Sequence, residues 1–97
     1  MQVFGNMYTK KIVCANNNGA EQDFDNVAST EKLVKITPTT NVYVLFTPTS
    51  STHEADNADY FIPANQEREF LAGRGLDRLT IRNESGGSSD IHVAILY

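Results

Sequence analysis

The sequence predicts an all-β domain, a single antiparallel β-sandwich or small barrel of seven to eight short strands over residues 1–97. Three observations carry this. Runs rich in β-branched and aromatic residues recur about every ten residues, the rhythm of a sandwich or barrel and not of βαβ units. The spacers between them are polar, built largely from nine Asn, nine Thr, six Ser and three Gln. Helix formers never hold a 3.6-residue period for more than a turn or two. A chain of 97 residues suits one domain and buries roughly 60–68% of its unfolded surface, enough for one modest core. A core of that size gains from packing against further copies or a partner.

Tyr8 to Ala15 is the first β-rich run, closed by the turn signal Asn16-Asn17-Asn18-Gly19. Glu21 to Val27 carries Phe24 and Val27 and is placed to pair back with it. Residues 26–33 hold the best helix candidate, as short as one turn. Leu33 to Thr37 alternates Leu33, Lys35 and Thr37 against Val34 and Ile36. Pro38 to Asn41 breaks it. Val42 to Thr47 is almost wholly apolar and reads as a central strand covered on both faces. A long polar loop follows, then Ala58 to Ile62, stopped by Pro63. Arg68 to Leu71 is a further strand, and Gly73-Arg74-Gly75 a tight turn. Arg78 to Arg82 and Ile91 to Leu96 alternate most cleanly. They read as a closing strand pair joined by a Ser/Gly-rich loop, with Leu79, Ile81, Ile91, Val93 and Ile95 inward and Arg78, Thr80, Arg82 and His92 outward.

The formal net charge of −4 and the absence of a dense Lys/Arg run argue against a nucleic-acid partner. No apolar run approaches membrane-spanning length. The start, Met1 to Asn6, lacks the basic and apolar regions of a signal peptide, so synthesis in a cytoplasm is expected. Cys14, the single cysteine, lies in the apolar run Ile12-Val13-Cys14-Ala15 and reads as a small buried hydrophobe.

Several clusters invite chemistry and carry little. His53-Glu54-Ala55-Asp56-Asn57-Ala58-Asp59 is rich in oxygen donors but matches no calcium-loop spacing, and no second His or Cys sits where zinc would need it. It reads as a solvated acidic loop. Glu67 and Glu69 share a strand face, yet a chain this short has no room for a hydrolase cleft. Gly73 and Gly75 lack the strand–loop–helix context of a phosphate cradle. No catalytic, cofactor-binding or metal-ligating residue is predicted. The partner surface is assigned to the outward row of the closing pair, Arg78, Arg82 and His92, together with Tyr60 and the terminal Tyr97.

The segments Ala58-Asp59-Tyr60-Phe61-Ile62-Pro63-Ala64-Asn65, Gly75 to Asn83, Gly86-Gly87 and Ile91 to Leu96 resemble small structural proteins of tailed-bacteriophage virions. Those include capsid decoration (cement) proteins and small tail or fibre accessory domains. The resemblance covers about 40 residues of generic β grammar. It implies a non-enzymatic virion protein without cofactors, acting as a homo-oligomer on the major capsid protein or another virion component. The alternatives are a tail, head–tail or fibre component, and a carbohydrate- or receptor-binding β-sandwich module.

Overall fold

The computed structural model describes residues 5, 7–14, 19–24, 31–73, 75–84 and 88–97. Eight strands run through them: β1 (Met7–Cys14), β2 (Gly19–Asp23), β3 (Lys32–Pro38), β4 (Val42–Thr47), β5 (Tyr60–Ile62), β6 (Arg68–Ala72), β7 (Arg78–Asn83) and β8 (Ser89–Leu96). They form two four-stranded sheets, ordered β1-β8-β3-β6 and β2-β7-β4-β5, with every pairing antiparallel. No helix of the described residues is long and apolar enough to cross a membrane.

Successive strands alternate between the sheets except at the β4–β5 hairpin. That interleaved order in a two-sheet, eight-strand sandwich is the jelly roll. It corrects two expected pairings. β7 and β8 do not form a hairpin: β7 pairs with β2 and β4, whereas β8 pairs with β1 and β3. Each stands second in its own sheet, so the chain crosses the sandwich between Asn83 and Ser89. β2 likewise leaves β1 and pairs with β7. The helix candidate at 26–33 falls mostly outside the described residues, and its last two, Lys32 and Leu33, open β3. Arg74, Ala15, Val27, residues 16–18 of the Asn16–Gly19 turn and residues 85–87 lie outside them as well. Gly75 has φ of 84°, a conformation open to glycine at no steric cost.

The core is the set of inward positions of both sheets. Val34, Ile36, Ile91, Val93 and Ile95 face Val42, Val44, Ile62, Leu79 and Ile81, all buried. Burying such a side chain contributes roughly 1.5–3 kcal/mol. A chain of aromatic rings closes the β5/β6 side. Phe24 meets Phe46 at 6.5 Å, Phe46 meets Phe70 at 5.4 Å, and Phe70 meets Tyr60 edge-on at 5.2 Å. Since Phe46 and Tyr60 belong to one sheet and Phe70 to the other, the series ties the sheets together.

Among the described residues Lys32, Thr47, Thr80, Asn83 and Ser89 are buried polar side chains, and two of them matter most inside the core. Asn83 accepts a hydrogen bond from the Thr40 hydroxyl at 2.7 Å and donates to the Cys14 carbonyl at 3.5 Å, tying β7 to β1. Lys32 is completely buried, its Nζ lies 5.9 Å from the centre of the Phe24 ring, and it has no hydrogen-bond partner among the described residues.

Candidate assembly surfaces

The outer face of the β1-β8-β3-β6 sheet carries an ordered row. Met7 is registered with Leu96, Leu96 with Leu33, and Leu33 with Leu71. Four apolar residues thus cross four strands in one line, spanning roughly 14 Å at the usual strand spacing. Met7 and Leu71 at its ends are 68% and 64% exposed. One register row further lie Thr9, Ala94, Lys35 and Glu69, and beyond them Lys11, His92 and Thr37. Lys35 and Glu69 form a 3.6 Å ion pair. A shallow depression of about 450 Å³ runs across this part of the sheet, lined by Lys10, Lys11, Lys35, His92 and Glu67 among others.

The outer face of the other sheet is built differently. Arg82, Tyr43 and Phe61 occupy one row across β7, β4 and β5. The Tyr43 and Phe61 rings lie 5.4 Å apart, and Phe61 is 41% exposed. The Tyr43 hydroxyl donates to Glu84 at 2.6 Å, a bond that raises the phenol's pKa. The next row, Glu21, Thr80 and Leu45, is roofed by the long loop. The Ala55 amide donates to Thr80 Oγ1 at 2.9 Å, while the Thr80 hydroxyl donates to the Leu45 carbonyl at 3.4 Å. Thr80 therefore keeps the outward parity expected of it but is buried beneath the loop.

The acidic loop organises itself with its own carboxylates. Asp59 accepts from the Asp56 amide at 2.9 Å, and Asp56 accepts from the Ala58 amide at 2.8 Å. Asp77 holds the start of the same loop by accepting from the Thr49 amide at 2.8 Å. Glu54 and Asp56 flank the buried Ala55 and stay exposed. The cluster thus stands as an acidic ridge over the sheet.

The five residues assigned to a partner surface do not come together. Arg78 and Arg82 lie on the outer face of one sheet, and His92 on the outer face of the other. Arg78 is engaged internally, with Nε donating to Asp23 at 2.7 Å and Nη1 at 3.6 Å from Glu21. That bond holds the Asp23 carboxyl below its usual pKa. Arg82 and His92 are exposed. Tyr60 is 53% exposed at the β5/β6 edge, its ring engaged by Phe70. Tyr97 packs against the core, and its carbonyl accepts from the Gly5 amide at 3.0 Å.

The apolar row was not anticipated. Its signal is that Leu33 and Leu96 share outward parity with polar residues of their own strands, but only the register shows that four such positions align. Cys14 is buried between the sheets with its Sγ 3.9 Å from the Ile81 carbonyl, and burial pushes its thiol pKa up to about 11.

No family model and no curated protein matches the chain. Among solved structures, a chain described as "Bacillus endospore appendages form a novel family of disulfide-linked pili" is similar in fold. The TM-score is 0.56 at 17% sequence identity, covering 100% of this chain and 94% of that one. The likeness thus extends over both sheets.

Proposed function

We propose that this chain is a non-enzymatic structural subunit that works as many copies of itself. The observation that carries this is the jelly roll matched end to end by a chain described as part of a pilus family. The disposition of the polar groups supports it. The carboxylates of the acidic loop cap its own turns, Arg78 neutralises Asp23, and the exposed remainder is spread over two broad sheet faces. Repeated weak contacts over such faces add up when copies are many.

Two settings suit a subunit of this kind. One is a surface fibre, favoured by the full-length likeness in fold. The other is a tailed-phage virion, where the chain would decorate the capsid by binding the major capsid protein, or serve in the tail. The resemblance of the segments between Ala58 and Leu96 favours the virion. Electron microscopy of the purified chain, alone and mixed with undecorated capsids, separates them. Regular fibres from the chain alone support the first. Stoichiometric addition to the capsid shell in hundreds of copies supports the second, and one to a dozen copies per particle moves it to the tail. A chain that neither assembles nor adds to a particle overturns the structural reading.

A further inference from the structure

Resting on the reading of the chain as a self-assembling subunit, we infer that copies stack face to face and head to tail. The outer face of the β1-β8-β3-β6 sheet of one copy seats on the acidic ridge and aromatic pair of the next.

The two surfaces match in kind and in order. The first presents an apolar row, Met7, Leu96, Leu33 and Leu71, followed by rows bearing Lys35 and Lys11. The second presents the Tyr43–Phe61 pair, followed by the row over Thr80 on which Glu54 and Asp56 stand. On both faces the apolar row and the row that supplies the matching charge are one register step apart, roughly 7 Å along the strands, with Arg82 sharing the aromatic row at its β7 end. One seating therefore sets apolar against aromatic and lysine against carboxylate together.

Charge is divided accordingly. On the first face the carboxylates Glu67, Glu69 and Asp90 share the surface with Lys11, Lys35 and His92, and Lys35 is shared with Glu69 in an ion pair. On the second, Glu54, Asp56 and Glu84 are exposed, with Arg82 as the exposed cation among the described residues, because Arg78 is held by Asp23. Complementary potentials fix register and suppress alternative seatings. Since the surfaces lie on opposite sides of one sandwich, the contact is heterologous and repeats without closing on itself unless the rotation forms a ring.

The test uses two charge reversals in the full chain, Lys11→Glu/Lys35→Glu and Glu54→Lys/Asp56→Lys, followed by sedimentation velocity. All four positions lie on the surface, and circular dichroism confirms that each variant is folded. Each variant alone is expected to associate at least tenfold more weakly than wild type. An equimolar mixture regains association, because each variant's reversed face meets the complementary face of the other and an alternating chain forms. Leu71→Ser weakens association, and neither charge variant rescues it. If wild type associates and either charge variant does so equally well, or the mixture is not rescued, face-to-face stacking is wrong while self-assembly stands. Contacts through the sheet edges would then carry the assembly. If wild type shows no association, the subunit reading itself fails.

Discussion

The Ala55 amide donates to Thr80 Oγ1 across 2.9 Å, and this bond seats the acidic loop on the sheet beneath it. Through it the strand that supplies core residues Leu79 and Ile81 also positions Glu54 and Asp56 on the surface.

Thr80→Val keeps the shape and removes the acceptor, leaving a buried amide without a partner. The expected loss is about 1–3 kcal/mol in urea denaturation. Hydrogen exchange at Ala55 should accelerate by more than that at Ile81, while Thr80→Ser recovers most of both. Unchanged exchange at Ala55 would show that the loop is held by other contacts.

Lys32 predicts a stabilising substitution. Its ammonium is buried without a hydrogen-bond partner among the described residues, and burial lowers its pKa while the charge of Asp77 works against that shift. Lys32→Met retains the packing against Phe24 and should stabilise by about 1–3 kcal/mol, read as a higher Tm. The unfolded chain holds the proton more tightly than the folded one. Wild-type stability therefore rises with pH from the lowered folded value toward 10.5. The variant should lose this rise.

Asp23 gives a slope of the same sign at the acid end. The hydrogen bond from Arg78 lowers its pKa below the usual 3.8, so the stabilisation is present above that value and lost as pH falls through the folded one. Acid titration of Asp23→Asn should show a flatter decline below about pH 4 than wild type. The effect is small, because the carboxylate is partly exposed and screened. Identical acid curves would mean that the pair adds no net stability.

Cys14 should be inert in the folded chain, being 1% exposed with a thiol pKa of about 11. Alkylation at pH 8 should proceed only as fast as the protein unfolds, and reductant should leave any association through this chain's residues unchanged. Fast labelling under native conditions would contradict the position of Cys14 between the sheets.

The strands were legible because alternation reports which side of each strand is buried. Leu79, Ile81, Ile91, Val93 and Ile95 were all placed inward correctly. Pairing was not legible, since a period of two fixes a face and not a sheet. The short connection between Asn83 and Ser89 serves a crossing as well as a hairpin. Assigning Arg78 and His92 to one surface rested on that hairpin, and in the structure they stand on opposite sides of the sandwich. Lys32 escaped because the sequence carries no sign that an ammonium will be buried. Thr80 was given the correct parity, but a loop from elsewhere in the chain decides whether an outward residue meets water.

The central claim is that this chain builds assemblies from copies of itself. Sedimentation velocity of the full chain over a wide concentration range, at low and high salt, tests it most directly. The expected result is a mean mass that grows with concentration without reaching a small fixed oligomer, and that falls as salt screens the charged faces. A monomer at every concentration and salt would contradict it.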